Sequence, residues 1–410
     1  MSVLIVGASL AGLSAAETLR SSGYKDEIVV VDGWDSLPSD RPPLSKQVLA
    51  GEWPPEKATQ RAASHLHEWD LDLRLGLAAT SIQVDPDSSG PGRVTLTDGT
   101  AVEPDGLIIA TGSRPRNVTD QRIDGVHLLR NLEDSLALRD DLDATDGPVV
   151  VIGAGFIGAE VAATCRSLGR DVTLIEAAPS PLMRVFPQAI GDFVADLHRA
   201  NGVDVRLGVG VAELECDPTG RISGVRMSDG SLVEAAVVVV GIGVIPNVEW
   251  LADSPLRLDN GIHCDETCLA APGVVAAGDV ASWYNPRYRR QMRVEQWEHA
   301  IQQGEYAAKR ILAEMGFGDT DMQALGAFDP VPWFWSDQYD KKIQMAGFPD
   351  ASDEMVLVEG SFAEGRFAVL FRRGDECSAV LGVNRPRHVM QARMKLEASL
   401  DWDGVISLFR

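Results

Sequence analysis

Two segments of the chain share one order of hydrophobic and polar positions. The first begins with an apolar run at residues 3–6, continues with a helical pattern and ends with a second apolar run at residues 28–31. The second repeats this order from residues 149–152 to residues 172–175. Short apolar runs bounded by glycine are typical of buried parallel strands. Each segment therefore predicts a strand–helix–strand unit, and the match between them predicts an internal repeat.

Glycines and a terminal acid occupy matching places in the two segments. The glycines are Gly7, Gly12 and Gly23 in the first segment and Gly153, Gly158 and Gly169 in the second, and the acids are Asp32 and Glu176. Glycines permit the tight turn and close packing, and the start of the helix supplies amide donors for a pyrophosphate. The acid accepts hydrogen bonds from a ribose hydroxyl. We therefore predict two dinucleotide-binding units.

The two glycine turns differ at one position. The second turn is complete, with Gly153, Gly155, Phe156, Ile157 and Gly158, whereas the first has serine at the middle glycine and comprises Gly7, Ser9, Leu10, Ala11 and Gly12. A single triplet of this kind is often only a turn, but two copies in register favour dinucleotide binding. Two dinucleotides on one chain indicate a flavin that exchanges a hydride with a nicotinamide. Because the Glu176 carboxylate repels a 2′-phosphate, we expect NADH rather than NADPH.

Composition and charge exclude several other classes of function. The chain has 37 basic and 60 acidic residues and a net charge of −23, which argues against nucleic acid and anionic membranes. Its five cysteines have no framework spacing, so we expect a reducing compartment and no metal site. Residues 235–245 are too short to span a bilayer and predict a buried strand. The chain starts with a strand pattern rather than a signal peptide, which favours a soluble, cytoplasmic protein.

Further motifs resemble those of one flavoprotein family. They are residues 41–46 (RPPLSK), 110–115 (ATGSRP), 240–243 (VGIG), 277–280 (AGDV) and 332–338 (PWFWSDQ). Their order is similar to that of the glutathione-reductase-like flavoproteins, and within them to the FAD-dependent ferredoxin reductases of oxygenase systems. The first and last motifs are specific to these reductases.

The resemblance implies an α/β fold with two Rossmann-like dinucleotide-binding domains and a C-terminal α+β domain. The FAD domain is expected at residues 1–112 and 243–323, the NAD domain at 113–242 and the C-terminal domain at 324–410. Residues 85–92 predict a hairpin turn within the first of these domains.

The resemblance also assigns site residues. Besides the first turn and Asp32, those expected at FAD are Arg41, Pro43, Lys46, Thr111, Gly112, Arg130, Gly278, Asp279, Gln296 and Trp297. Besides the second turn and Glu176, those expected at NAD are Glu160, Gly241, Ile242 and Gly243, with Trp335 near the nicotinamide pocket. Pro43 is expected against the isoalloxazine, with the Lys46 ammonium near its reactive nitrogen, where it would stabilise negative charge. Glu160 is expected to hold the nicotinamide carboxamide.

Four of these residues have plainer alternatives. The alternative for Lys46 is a solvated lysine in a surface loop, and the alternative for Asp279 is a helix cap. For Glu160 it is a solvated position on a helix, and for Trp335 it is packing in the core of the C-terminal domain. Because no cysteine lies near residues 41–46, the chemistry of disulfide reductases and of single-cysteine peroxidases is excluded.

The resulting hypothesis is an NADH-dependent ferredoxin reductase. It passes a hydride from NADH to bound FAD and then single electrons to a [2Fe–2S] ferredoxin, which serves a cytochrome P450 or another oxygenase such as a dioxygenase. The alternatives are an NADH oxidase or other acceptor reductase, and an NADH-sensing protein similar to apoptosis-inducing factor. Since such ferredoxins are acidic, basic clusters are expected to dock them; these contain Arg289, Arg290, Lys341, Lys342, Arg385 and Arg387.

Overall fold

The computed structural model describes residues 1–59, 66, 68–84, 90–318 and 322–410, which form two compact units. The first unit comprises Met1–Asp40, Thr59–Arg114 and Ile245–Pro332, and the second comprises Arg41–Ala58, Pro115–Val244 and Trp333–Arg410. The second unit contains both the expected NAD segment and the C-terminal segment, so the three-domain division stays a prediction.

The helices alternate with strands in both units. Those that lie wholly within the described residues are, in chain order, α1 (Leu10–Ser21), α2 (Leu132–Ala144), α3 (Phe156–Ser167), α4 (Gln188–Ala200), α5 (Trp297–Glu314), α6 (Met322–Leu325), α7 (Pro386–Ala398) and α8 (Trp402–Ile406). Short 3₁₀ turns occupy Glu249–Leu251, Gly278–Val280 and Ser407–Phe409. Among the described residues, no helix is long and apolar enough to cross a membrane.

The main sheet of the first unit is built around the first repeat. Its strands, in spatial order, are Leu269–Ala271, Val274–Ala276, Gly106–Ile109, Ser2–Val6, Glu27–Asp32 and Asp72–Leu75. Ser2–Val6 pairs in parallel with strands on both sides, and its apolar residues are buried because helices cover the sheet. Alanines and glycines let α1 and α5 pack closely, since a Cβ on Gly304 would overlap the Ala11 carbonyl oxygen.

The second unit contains the matching sheet. Its strands, in spatial order, are Asp204–Leu207, Val172–Glu176, Val149–Ile152, Val237–Val240 and Val126–His127. The pairing of Val149–Ile152 with Val172–Glu176 is parallel, as it is in the first unit. All four residues of Val237–Val240 are buried, which confirms the buried strand predicted within residues 235–245. The internal repeat is therefore present in the fold.

The C-terminal segment adds an antiparallel sheet to the second unit. Its strands, in spatial order, are Trp333–Gln338, Lys341–Gly347, Glu376–Val383, Arg366–Arg373 and Glu354–Ser361. Ile190 and Val194 of α4 share a hydrophobic core with Phe367 and other residues of this sheet. The sheet is thereby fixed to the elements that follow the second repeat.

Smaller strands complete the two units. Three-strand sheets join Ala79–Gln83, Arg93–Leu96 and Ala101–Val102, then Ile262–Cys264, Ala281–Asn285 and Arg290–Met292, and then Val211–Cys216, Ile222–Met227 and Leu232–Glu234. Ser113–Pro115 and Val244–Pro246 lie where the chain passes between units. Ala79–Gln83 and Arg93–Leu96 pair antiparallel on either side of the predicted hairpin turn. Residues 85–89 of that turn lie outside the described residues.

Candidate functional site

The first glycine turn follows Ser2–Val6 and leads into α1. Gly7 has a φ of +112°, and a Cβ at this residue would overlap the carbonyl oxygen of Ala110. A Cβ on Gly12 would overlap the carbonyl oxygen of Gly7. Both positions therefore require glycine. The first amides of α1, at Leu10 and Ala11, lie beside this turn at the carboxyl ends of parallel strands, where dinucleotide phosphates bind in such folds.

Asp32 holds the first turn in place. Its Oδ2 accepts a hydrogen bond from the Ala8 amide at 2.6 Å, and its Oδ1 accepts one from the Trp34 amide at 2.9 Å. The carboxylate is half-buried. The sequence predicted a ribose ligand for this acid, whereas the structure adds a second task, which is to fix the turn that faces the phosphates.

The second turn repeats this arrangement. Gly153 has a φ of +99°, and a Cβ on Gly158 would overlap the Gly153 carbonyl oxygen. Glu176 accepts hydrogen bonds from the Ala154 amide at 2.8 Å and from the Ala178 amide at 2.9 Å. The two turns are thus built by the same contacts in separate units.

The middle position of each turn tolerates a side chain. A Cβ on Gly155 would meet no atom closer than the Gly241 oxygen at 3.9 Å, and its φ of −72° is open to any residue. Ser9 occupies the same place in the first turn with a φ of −88°. The serine therefore fits the turn without strain, which explains the departure from the glycine pattern.

Several residues expected at FAD lie together in the first unit. Gly278 has a φ of +75° and packs against the start of α1. A Cβ on Gly278 would come 3.0 Å from the Cβ of Ala11. Asp279 is buried and accepts a hydrogen bond from the Ser113 hydroxyl at 2.8 Å. Asp279 lies inside a 3₁₀ turn capped by Ala277, so it does not cap a helix.

Thr111 and Gly112 are tied to the same unit. The Thr111 hydroxyl donates to the Asn247 carbonyl oxygen and the Asn247 side chain donates to that of Thr111, both at 2.9 Å. Gly112 has a φ of +65°. This reciprocal pair fixes the backbone between Gly106–Ile109 and the residues that follow.

The start of α5 also fits a bound ligand. Gln296 is the N-cap residue, and Trp297 is the first residue of the helix, as the sequence predicted to within a few residues. The Gln296 side-chain oxygen is buried and has no hydrogen-bond partner among the described residues. A buried acceptor of this kind needs a polar partner. Together with the first turn, this atom shows that the residues present fit a dinucleotide such as FAD.

The remaining residues expected at FAD belong to the second unit. Arg41 and Arg130 are half-buried and Pro43 is buried. The segment that carries Lys46 is anchored from two helices. The Ser135 hydroxyl of α2 donates a hydrogen bond to the Leu44 carbonyl oxygen at 2.7 Å. The Thr164 hydroxyl of α3 donates one to the Ser45 carbonyl oxygen at 2.8 Å. The segment is therefore a fixed part of the unit rather than a loose surface loop.

Lys46 and Glu160 form a buried ion pair. The ammonium lies 2.9 Å from Glu160 Oε2, and the two side chains are 12% and 8% exposed. The Ser45 hydroxyl donates to the same oxygen at 2.6 Å. The other oxygen, Oε1, accepts from the Ser336 hydroxyl at 2.8 Å and from the Asp337 amide at 3.3 Å. These contacts rule out a solvated lysine and a solvated glutamate in this structure.

Of the residues that contact Glu160, Lys46 was predicted as a site residue, whereas Ser45, Ser336 and Asp337 were not. Ser45 and Ser336 lie within the two motifs specific to the resembled family, which is the signal that could have found them. Along Trp333–Gln338, alternate residues face opposite sides, so Phe334, Ser336 and Gln338 share the side that packs into the unit. Trp335 lies on the other side, half-buried, with its ring 5.2 Å from that of Trp333.

The residues expected at NAD line the second turn. Gly241 packs against Gly158, Ile242 is half-buried and Gly243 has a φ of +105°. The Ile157 side chain, at the start of α3, is 41% exposed although it is apolar. The described residues beside the turn thus leave backbone and one apolar side chain open to a ligand.

The thiols of the chain do not suit redox catalysis. All five cysteines are free, and burial raises the pKa of Cys165, Cys268 and Cys377 to about 12. Burial raises the pKa of Cys264 as well. A thiol protonated at neutral pH is a poor nucleophile. The described residues hold no group of acidic, histidine or cysteine side chains that could bind a metal ion.

The fold, with its two glycine turns, is that of an oxidoreductase that uses two dinucleotides. A family model described as pyridine nucleotide-disulphide oxidoreductase matches residues 1–304, and one described as reductase C-terminal matches residues 333–404. Rhodocoxin reductase of Rhodococcus erythropolis is 37% identical over 98% of this chain and 90% of its own length. Putidaredoxin reductase CamA of Pseudomonas putida is 35% identical over 99% and 95%.

Solved structures agree with these relatives. The structure of a covalent putidaredoxin reductase–putidaredoxin complex matches with a TM-score of 0.88 and 34% identity, and covers 97% of this chain and 93% of that chain. A ferredoxin reductase from Rhodopseudomonas palustris matches with a TM-score of 0.86 and 33% identity over 99% of both chains. The chain belongs to the ferredoxin reductases of this family, which use FAD and NAD(P)H.

Proposed function

We propose that the protein transfers electrons from NADH through FAD to a [2Fe–2S] ferredoxin that serves a cytochrome P450 or another oxygenase. The observation that carries this proposal is the pair of glycine turns, each closed by its own acid, in a chain whose buried thiols are protonated. The relatives support the acceptor, because rhodocoxin reductase and putidaredoxin reductase are named for their ferredoxins.

The first unit carries most of the residues proposed to bind FAD. Gly7, Ser9 and the α1 amides bind the FAD pyrophosphate, Asp32 its ribose and Asp279 its ribityl chain. The amides and dipole at the start of α5 would stabilise negative charge on a bound flavin ring. When bound, FAD would supply the redox chemistry, which is acceptance of a hydride from NADH and release of single electrons.

The second unit carries the residues proposed to bind NADH, together with the Lys46 ammonium. Its glycine turn and Glu176 hold the NADH pyrophosphate and ribose, and Glu160 orients the nicotinamide carboxamide. Pro43 would lie against the flavin ring, and the Lys46 ammonium would balance negative charge there. Trp335 borders the nicotinamide pocket. Hydride transfer needs no group that adds or removes a proton. Positioning of the reactants and electrostatic stabilisation therefore account for most of the rate acceleration.

Preference for NADH rests on Glu176. Both carboxylate oxygens are held by backbone amides, at 2.8 Å and 2.9 Å, so the charge cannot turn away from a 2′-phosphate. A fixed negative charge at the ribose disfavours NADPH, because like charges at close range repel.

Three of the basic residues expected at the ferredoxin dock remain well exposed, namely Arg289, Lys342 and Arg387. Lys341 and Arg385 are mostly covered and are paired with Asp340 at 2.7 Å and Glu359 at 3.1 Å. Within the second unit we therefore propose a dock at Lys342, which stays half-exposed beside Asp337 at 3.4 Å, and at Arg387, because exposed cations attract an acidic partner against the overall negative charge.

Charge reversal tests the dock. Lys342→Glu and Arg387→Glu are expected to raise the KM for the ferredoxin at least fivefold and to leave ferricyanide reduction unchanged, because ferricyanide needs no protein dock. Arg122→Glu, an exposed basic residue outside these clusters, is the control. Equal losses in both assays would show that the residues are structural, and equal effects of the control would make the dock claim wrong.

Anaerobic stopped-flow measurement separates the proposal from its alternatives. The enzyme is first reduced with NADH and then mixed with air-saturated buffer, and the flavin absorbance is followed. We expect rapid reduction and slow reoxidation by oxygen. Fast reoxidation would favour an NADH oxidase, and the near-absence of steady-state ferricyanide reduction would favour an NADH sensor.

The proposed location is the cytoplasm. It rests on the five free thiols, since such thiols persist in reducing compartments. Cell fractionation with an antibody to the protein tests it, and recovery in an oxidising compartment would contradict it.

A further inference from the structure

A line of buried polar side chains continues from Glu160 into the second unit. The Ser336 hydroxyl donates to Glu160 Oε1 at 2.8 Å, and Ser336 Oγ in turn accepts from the Gln338 side-chain amide at 3.2 Å. Ser336 and Gln338 are both completely buried. Because they are two residues apart on one strand, both point to the same side.

A second pair, His198 and Tyr339, follows Gln338. Burial lowers the pKa of His198 to about 4. Neither His198 Nε2 nor Gln338 Oε1 has a hydrogen-bond partner among the described residues, so the line of hydrogen bonds from Glu160 ends at Gln338. On its other side, His198 Nδ1 lies 3.0 Å from the Tyr339 hydroxyl. Burial raises the pKa of Tyr339 to about 12, so both groups are neutral at pH 7.

The two hydrogen bonds of this line point the same way. The Gln338 amide nitrogen donates to Ser336 Oγ, and the Ser336 hydroxyl donates to the Glu160 carboxylate. Aligned hydrogen bonds of this kind strengthen one another.

The backbone at the outer end of the line is strained. Tyr339 has a φ of +55°, which is rare for a bulky residue, and such strain persists where surrounding contacts hold it. Its ring packs edge-on against that of His198, with centroids 5.4 Å apart. The Asn384 amide donates to the Asp340 carbonyl oxygen at 3.0 Å, which fixes the turn from its far side.

We propose that Ser336 and Gln338 are positioning residues that hold the Glu160 carboxylate in one orientation and, through it, the Lys46 ammonium. The inference rests on the proposed function, in which Glu160 orients the nicotinamide. With Oε1 anchored by Ser336, the other oxygen is directed at Ser45 and Lys46. The C-terminal segment thereby controls the geometry of a residue that lies on α3.

A double-mutant cycle tests the positioning. NAD⁺ affinity by calorimetry and anaerobic flavin reduction by NADH are measured for Ser336→Ala, Glu160→Gln and the double variant. We expect each single variant to weaken affinity and slow reduction about tenfold, and the double variant to be no worse than Glu160→Gln, because Ser336 acts through that carboxylate. Ser336→Thr keeps a hydroxyl and is expected to restore most of the loss.

Ser378→Ala is the matched control. Ser378 is also buried and also donates to a carboxylate, that of Asp353, at 2.6 Å. If Ser336→Ala behaves like this control, or if its effect adds fully to that of Glu160→Gln, the inference is wrong and the proposed function stands. If Glu160→Gln itself leaves affinity and reduction unchanged, the role of Glu160 in the proposed function is wrong and the inference fails with it.

Discussion

Lys46→Met removes the ammonium from Glu160 and keeps the length of the side chain. In the protein the two charges are 2.9 Å apart and almost fully covered. The variant leaves Glu160 as a buried carboxylate with the Ser45 and Ser336 hydroxyls and the Asp337 amide as its donors. The change in stability therefore measures how much the ion pair contributes beyond these hydrogen bonds.

The expected size follows from these contacts. At the Lys46–Glu160 separation of 2.9 Å, opposite charges attract by about 6 kcal/mol at an effective dielectric constant of roughly 20. Part of this gain is offset by the cost of taking both ions out of water, and breaking a buried pair costs about 3–5 kcal/mol in practice. Because three donors remain on Glu160, we expect the lower value, about 3 kcal/mol.

Differential scanning calorimetry with FAD held at fixed excess measures the effect. At about 2–4 °C per kcal/mol for a unit of this size, the Tm is expected to fall by about 6–12 °C. Lys46→Met/Glu160→Gln is expected to be less destabilised than the sum of the single variants, since it buries no unpaired charge. A fall below about 2 °C, or full additivity, would refute the reasoning.

Three further predictions concern the second glycine turn, coenzyme choice and acid stability. A Cβ at Gly158 overlaps a carbonyl oxygen, so Gly158→Ala is expected to abolish NAD⁺ binding by calorimetry, whereas Gly155→Ala, with open space around its Cβ, must fold normally. Glu176→Gln keeps an acceptor for the turn but removes the charge, so kcat/KM for NADPH should rise about tenfold relative to NADH, about 1.4 kcal/mol; an unchanged ratio contradicts the assignment. Burial lowers the pKa of His198 and His299 to about 4, below about 6.5 in the unfolded chain. The unfolded chain therefore binds more protons between these values, and each histidine is expected to cost up to about 3 kcal/mol of stability as pH falls from 6.5 to 4. A Tm that does not fall between pH 7.5 and pH 5 contradicts this, and His299→Gln should reduce the fall.

The repeated unit could be predicted from the sequence because its constraints are local. Gly7 and Gly12 must be glycine because a Cβ there would overlap backbone atoms of the same turn or of the residue after the neighbouring strand. The buried strands are visible in the sequence as short runs of apolar residues. Ser9 looked like a departure from the pattern, but the structure shows that the middle position has space for a side chain. The second task of Asp32, which is to hold the turn, leaves no mark in the sequence.

The surroundings of Glu160 could not be predicted because their members come from distant parts of the chain. Ser45 and Ser336 are 115 and 176 residues away from Glu160. No local pattern distinguishes a solvated glutamate on a helix from one buried among hydroxyl groups. These groups come together only because the C-terminal sheet packs against the other elements of the second unit.

Ferredoxin-dependent reduction of cytochrome c by NADH tests the central claim most directly. The purified holoenzyme is assayed with NADH and cytochrome c, alone and with each of several [2Fe–2S] ferredoxins. The account predicts a low rate without ferredoxin and a saturable increase of at least tenfold with a suitable one. If no ferredoxin raises the rate above background while ferricyanide reduction remains fast, the claim that the protein is a ferredoxin reductase is contradicted.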